Sequence, residues 1–353
     1  MDDDLAGGKE QRGQRIWRGP TIAEIARESN LGTATVDRAL NGRDSVRAAT
    51  REKVLVALER LGGRVEVAAP ASSPPRCRIA FVTDSGASFN RTLQQAVEAY
   101  CVQHGEVECS FDAVTTAEVV PIKFAQQLER AAEASDGVVV VAREDLTINR
   151  AIRAIASRRT PIVCLTSDLP NSGRTAYIGS DQANAGATAA YIIGQVLGGR
   201  HGKALLVYSA PYRAQEEREL GFRRVLRSEF SHLDVDERLN SNDSTDVVYA
   251  NVRRYIADHG APAAVYNVSG GNVGIGRALE AEGLDGKVIF IGHELNPNSR
   301  MLLETGLMHF AIGHDIDREV DMAIDTIRAA LDKRPLPPPS PAKVRIYTKF
   351  NCN

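Results

Sequence analysis

Three things are scarce in this chain: a charge surplus, paired cysteines and long apolar runs. Lys and Arg number 43 against 45 Asp and Glu, a formal net charge of -2, so the molecule as a whole is no polycation. The five cysteines, Cys77, Cys101, Cys109, Cys164 and Cys352, are odd in number and widely spaced, which argues against a disulfide frame and for reduced packing residues. No His-x-x-x-His or Cys-x-x-Cys spacing supports a metal, and no Gly-x-Ser-x-Gly element or nucleophile–base pairing supports hydrolysis. The first twenty residues, MDDDLAGGKEQRGQRIWRGP, hold no apolar stretch of the roughly seven residues a secretory signal needs, and no run long enough to span a bilayer. These absences point to a cytoplasmic, non-exported protein without membrane attachment, cofactor or metal. With 353 residues, 43% hydrophobic and 25% charged, the chain is of ordinary globular composition and long enough for two or three domains.

What is present begins at Thr21. In TIAEIARESNLGTATVDRALN, Ile22, Ile25 and Ala26, then Leu31, Val36, Ala39 and Leu40, recur at helical spacing on either side of the polar break Ser29 to Gly32. Helix, tight turn, helix is the pattern. Two short helices by themselves are more commonly a plain hairpin, but Val46 to Leu61 adds a third amphipathic run whose Val54, Leu55, Leu58 and Leu61 can close a small core. Thr33, Ala34 and Thr35 open the second helix and Arg38 follows a turn later. Small residues there permit close approach to a duplex, their methyls suit thymine, and Arg38 can bond guanine or a phosphate. Thr21 and Asn41 complete the candidate DNA-contacting set. From Lys9 to Arg64 there are 12 basic and 7 acidic residues, so positive charge is concentrated where a phosphate-facing surface is needed.

TIAEIA (21–26), TVDRALN (35–41) and VRAATREKV (46–54) resemble the N-terminal headpiece of the lactose-repressor (LacI/GalR) family of transcription regulators. Asp37 departs from the Ser more usual before that Arg, and an acid there must face away from phosphates or cap a neighbour. Family members often follow the headpiece with a hinge helix that inserts a Leu pair into the minor groove. Here Pro70, Pro74 and Pro75 oppose a helix and no Leu lies between Gly62 and Arg76, which puts such an insertion in doubt.

From Cys77 onward, apolar runs alternate with amphipathic ones. RIAFVTD (78–84), VECSFDAV (107–114), GVVVVA (137–142) and PIVCLTSD (161–168) read as strands, with helices at 90–104, 123–134 and 146–157. A second set, KALLVYS (203–209), VDERLN (235–240), AAVYNVS (263–269) and KVIFIGHEL (287–295), alternates with helices at 214–230, 245–259, 273–282 and 297–304. HFAIGHD (309–315), a helix to Leu331, the Pro run RPLPPPSP and the strand KVRIYTKF close the chain. Nearly continuous β-branched strands between helices imply parallel sheets covered on both faces. The expected fold is an all-α helix-turn-helix headpiece followed by an α/β body of two doubly wound parallel sheets. The body, through IGSDQANAGATAA (178–190), Arg218 to Phe222, VGIGRAL (273–279) and IGHE (291–294), resembles the type I periplasmic-binding-protein body of the same family. That resemblance implies three crossings between lobes, near 178–181, near His314 and in the Pro run. The expected layout is a disordered leader at 1–19, headpiece at 20–62, linker at 63–76 and effector domain at 77–353. Its first lobe takes about 77–180 and 315–342, its second about 181–314 and 343–353.

Ligands of doubly wound sheets bind beyond the carboxyl ends of the strands. That rule selects Asp84 with Phe89 and Asn90, then Arg143, Asp168, Ser209, Ser269, Glu294 and His314. Singly, each is more often a cap or a solvated loop residue; their shared position at strand ends is what recommends them. The resemblance implies a sugar or related effector, with Phe89 stacking and Asn90, Arg143, Asp168 and Glu294 as polar contacts. Two departures, Glu216 where relatives often carry Arg and Glu294 where Asp is usual, lengthen or acidify the pocket and favour a ligand with an amino group or with fewer carboxylates, an unmodified sugar staying open. Arg218 reads as an inter-element ion pair, and SGGNVGIG (269–276) lacks the context of a dinucleotide loop. The resulting expectation is a homodimeric repressor that leaves double-stranded operator DNA when it binds a sugar, sugar acid, polyol or amino-sugar derivative. A co-repressor mechanism, or an α/β enzyme with a helical cap, are the alternatives.

Overall fold

A computed structural model describes residues 20–40, 46, 48–61, 77–338 and 342–352, and these group into two compact units, one within residues 1–73 and one from Pro74 onward. The leader, Asn41 and the linker with its prolines lie outside the described residues.

The first unit is three helices, α1 (Ile22–Ser29), α2 (Thr33–Leu40) and α3 (Ala48–Arg60). Thr21 starts α1 as one half of a capping box: its hydroxyl accepts from Glu24 N at 3.3 Å while its own N–H donates to the Glu24 carboxylate at 2.7 Å. Such a cap contributes about 1 kcal/mol. Asn30 ends the helix in the left-handed region at φ 54°. Ile25, Ala26, Val36, Ala39, Val54, Ala57 and Leu58 form the core, so the apolar faces legible at helical spacing are the ones that meet. Leu55 and Leu61, expected inside, are 43% and 39% exposed, because α3 turns its Val54–Ala57–Leu58 edge to the other helices.

The second unit alternates strand and helix. Its first lobe contains β1 (Cys77–Ser85), α4 (Ala87–Gln103), β2 (Val107–Thr115), α5 (Pro121–Ala134), β3 (Gly137–Val141), α6 (Leu146–Ser157), β4 (Ile162–Leu165) and β5 (Ala176–Ile178). The strands form one parallel sheet in the order β2-β1-β3-β4-β5. The chain then crosses over. The second lobe follows as α7 (Gln182–Leu197), β6 (Gly202–Tyr208), α8 (Arg213–Glu229), β7 (Leu233–Asn240), α9 (Thr245–His259), β8 (Ala264–Asn267), α10 (Asn272–Ala281), β9 (Ile289–His293), α11 (Pro297–Glu304) and β10 (Phe310–Gly313).

Past β10 the chain returns to the first lobe as α12 (Ile316–Leu331), whose Val320, Ala323, Ile324 and Ile327 pack on Ile79, Phe81 and Val139. It crosses a third time to add β11 (Arg345–Tyr347), antiparallel, to a sheet ordered β11-β10-β9-β8-β6-β7. On the way Ala342 N donates to Gly179 O at 3.1 Å, so two of the crossings lie side by side.

Burial follows position in the sheet. GVVVV in β3 is buried at every residue, as a central strand covered on both faces demands, while edge strand β2 alternates. In the second lobe α7 and α8 touch backbone to backbone. A Cβ on Gly186 would stand 1.8 Å from Arg218 O, and one on Gly221 would stand 1.9 Å from Ala183 O. Only glycine permits that approach, and it seats the Arg218 turn of α8 beside the crossing at Gln182.

Candidate functional site

The headpiece presents a polar face. Thr33, Ala34 and Arg38 are exposed on α2 and Thr35 is half-buried, while Val36 and Ala39 on the opposite side hold the helix to its neighbours. The Arg38 guanidinium lies along its own helix, its Nε donating to Ala34 O at 2.9 Å. Thr21 is spent as a helix cap, which fixes where α1 begins; Asn41 lies outside the described residues.

In the body a cavity of about 290 Å³ opens between the two lobes. That is close to the lower end of the roughly 300–1,000 Å³ that ligand clefts span, room for one small molecule. Its wall comes from segments that follow strands: Ser85 to Phe89 and Arg91 after β1, Thr166 and Ser167 after β4, Asp243 and Thr245 after β7, Ser269 to Val273 after β8, and His293, Glu294, Asn296 and Asn298 around the end of β9. Three of the seven described non-glycine residues with positive φ, Thr166, Asp243 and Glu294, lie on this wall. Such backbone costs on the order of 1–3 kcal/mol and gathers where a structure is built to hold something.

Of the strand-end residues selected from sequence, Phe89, Ser269 and Glu294 line the cavity; the others do not. Asp84 is wholly buried and saturated: Arg143 grips it with Nε at 2.6 Å and Nη2 at 2.8 Å, and Tyr212 from the second lobe donates its hydroxyl at 2.7 Å. Arg143 is thereby spent as well. Asn90 is turned inward on Thr83, Ser85 O and Val114 O; Asp168 is paired with Arg174; Ser209 accepts from Gln215 Nε2 at 2.8 Å. Glu216 is exposed, because it is Gln215, about 100° away around α8, that faces the cavity. His314 lies behind Glu294 instead of on the wall.

The groups that sequence reasoning passed over are Arg91, Gln215, Asp243 and Asn272, and Arg218, which was read only as an ion pair. Arg218 is both. It is 6% exposed, donates to Gln182 and to Val268 O, stands 3.5 Å from Glu294 and lines the cavity. The R-x-x-G-F phrase was the available signal, since Gly221 is what seats this turn of helix.

Two polar clusters join the lobes. At one side of the cleft Thr116, of the first lobe, contacts the Tyr212 hydroxyl at 3.0 Å and donates to Asp243 Oδ2 at 2.6 Å; Asp243 Oδ1 accepts from Gly270 N at 2.7 Å. A backbone bond, Glu144 N to Pro211 O at 3.0 Å, lies alongside. Burial, with the Asp84 charge adding to it, raises the Tyr212 hydroxyl far above its usual value, so it stays protonated and donates.

The second cluster sits at the crossing after β10. His314 spans Glu294 at 3.2 Å and Glu319 of α12 at 2.8 Å. Burial works to lower His314, but the two carboxylates outweigh it and hold the imidazole well above its ordinary value. Burial works to raise Glu294, and His314 and Arg218 bring it below its ordinary value instead. His293 goes the other way: burial, then the Arg218 and His314 cations, push it well down, and the neutral ring shares a 2.9 Å hydrogen bond with the Tyr266 hydroxyl.

A raised His314 contributes fully below its unfolded value near 6.5, and that contribution is lost as pH climbs through the raised folded value. The thermal midpoint of the wild-type chain is therefore expected to fall as pH rises above neutrality, and His314→Gln to flatten that limb. Differential scanning calorimetry across the range checks it; equal slopes for both proteins would refute the assignment.

Comparison with known proteins supplies the context. Residues 79–335 match the periplasmic binding protein domain family, and residues 21–62 match the bacterial regulatory proteins of the lacI family. Catabolite control protein A of Priestia megaterium is 50% identical over 44 residues, a stretch that spans 12% of this chain and 13% of that protein. Among solved structures, GanP, a glucose-galactose binding protein from Geobacillus stearothermophilus, covers 79% of this chain and 99% of its own at 17% identity and TM-score 0.70. A solute-binding protein from Burkholderia graminis in complex with D-arabinose covers 79% and 97% at 19% identity and TM-score 0.72. At such identities these two show the shared fold. The matched profile takes in well over half of the residues, so the chain belongs to the periplasmic binding protein domain family and carries, ahead of that body, the helix-turn-helix headpiece of the lacI family of bacterial regulatory proteins.

Proposed function

We propose that this chain is a ligand-responsive transcriptional regulator, a repressor in which the interlobe cavity holds a small sugar-like effector whose binding releases the headpiece from operator DNA. The observation that carries the reading is the pairing, in one chain, of an exposed helix-turn-helix face with a cavity walled by hydroxyl, amide and charged groups from both lobes. An effector can shift the operator-competent population only by binding one arrangement of the lobes better than the other. A cavity walled by both lobes supports this reading, because its ligand contacts change when the lobes move. The curated relative matches over only 44 residues, 13% of its own length, so effector, operator and mechanism rest on this cavity and not on that protein.

The chain acts in this reading as a cytoplasmic, non-catalytic homodimer. One headpiece offers few base contacts, and two related by a twofold axis give useful specificity. The amino-bearing ligand favoured by the acidic residues loses its footing. Glu216 faces solvent, and Glu294 is already matched by Arg218 and His314, so an added ammonium would meet two cations.

Selection from random duplexes by the full chain tests the reading. An inverted repeat is expected to emerge, with affinity that falls steeply as salt rises because phosphate contacts release counterions. A flat salt response, or recovery of single half-sites only, would count against it.

A further inference from the structure

On the basis of the effector reading above, the charges of the cavity wall indicate which kind of sugar derivative it takes. Four ionised side chains line it: Arg91, Arg218, Asp243 and Glu294. Glu294 and Arg218 face each other at 3.5 Å, with His314 behind the carboxylate at 3.2 Å and Glu319 behind the imidazole at 2.8 Å, so that group of four is balanced within the protein. Asp243 is occupied on both oxygens, by Thr116 and by Gly270 N, and its carboxylate packs where a Cβ on Gly86 would stand, 3.2 Å away, against the start of α4. Arg91 differs: among the described residues it has no hydrogen-bond or ion-pair partner, and its side chain is exposed on the cavity rim one helical turn from Ser88.

We propose that the effector is an anionic sugar derivative, a sugar acid or a sugar phosphate, whose carboxylate or phosphate is taken by Arg91. Its hydroxyls are left to Glu294 and the amide-bearing wall of the second lobe. A guanidinium fork matches either anion in bidentate geometry, and the hydroxyls of Ser85 and Ser88 stand on the same part of the wall as further donors. Phe89, two residues before Arg91 and half-buried, covers the apolar face of the ring. The two carboxylates of the wall are already partnered and offer no free counter-ion to an ammonium, and among the described lining residues the charge lacking a partner is positive.

The experiment uses the full-length chain and matched series: D-glucose and D-galactose, each beside its aldonate, its 6-phosphate and its 2-amino form, with D-arabinose beside its aldonate and 5-phosphate. Thermal shift selects binders and calorimetry measures them. An anionic member is expected to bind at least about 10-fold more tightly than its neutral parent, and Arg91→Gln to weaken that member by on the order of 10- to 100-fold while leaving the parent within about 3-fold. Arg91→Lys should keep part of the preference. If neutral or amino forms bind as well as the anions, or if Arg91→Gln weakens parent and anion alike, the anionic assignment falls while the effector cavity stands. If nothing in the series binds to a chain that still selects its duplex, the assignment and the cavity reading fall together.

Discussion

Arg38→Ala is expected to weaken operator binding by roughly 30-fold to 10⁴-fold, through loss of about 1–3 kcal/mol at each of the two headpieces of the proposed dimer. The change costs the headpiece little else. Arg38 is exposed, its described bond is to a carbonyl of its own helix, and Val36 and Ala39 on the other side of α2 make the packing contacts. Unfolding temperature and effector affinity should therefore match wild type. Fluorescence anisotropy on a selected duplex reads the first quantity and thermal shift the second. Retained affinity in the variant would remove α2 from the DNA interface, and a matching drop in stability would make Arg38 a structural residue instead.

Arg143→Ala should destabilise the body by about 3–5 kcal/mol, because it strands a buried carboxylate. Asp84 is wholly buried and receives two guanidinium bonds, one phenolic bond and a long backbone bond from Arg143 N at 3.4 Å; with the guanidinium gone, only the phenol and that weak backbone contact are left to it. In a body of this size that corresponds to a fall in the thermal midpoint on the order of 10 °C. Adding Asp84→Asn should restore a good part of it, since the stranded charge is then gone. The two variants separate opposed roles for the same residues. As effector contacts, either change alone would weaken ligand binding with little effect on stability, and the double variant would bind worst. As an internal pair joining the lobes, the double variant is more stable than Arg143→Ala.

That contrast marks where a one-dimensional reading stops. Continuous runs such as GVVVV and PIVCL announce central parallel strands, because a strand covered on both faces has no polar side to show. Helix ends written in local chemistry were equally legible: α9 spans Thr245–His259 after the Ser244 cap, and α11 spans Pro297–Glu304 after the Asn296 capping box. Short β5 was not read as a strand: Ala176–Ile178 follows the Gly173 turn with no alternating apolar run around it.

The cavity was legible as an address and not as a list of contacts. The rule that ligands sit beyond strand ends led to loops that line the cavity, yet polar side chains at strand ends find partners within the protein whenever they are buried. Asp84 found Arg143 and Tyr212, 59 and 128 positions away, and His314 found Glu294 and Glu319. No spacing along the chain carries those pairings. The acidic pocket read from Glu216 and Glu294 took no account of their surroundings: Glu216 is exposed, and Glu294 is matched by Arg218 and His314.

The central claim is that occupancy of the interlobe cavity governs the grip of the headpiece on DNA. It is tested most directly by titrating the selected duplex with the full chain, first alone and then with a saturating concentration of whichever sugar derivative stabilises the body, in wild type and in Glu294→Ala. The expected result is a wild-type dissociation constant raised by at least about 10-fold when the cavity is filled, and no shift in Glu294→Ala. Identical DNA affinity for empty and filled wild-type protein would contradict the account.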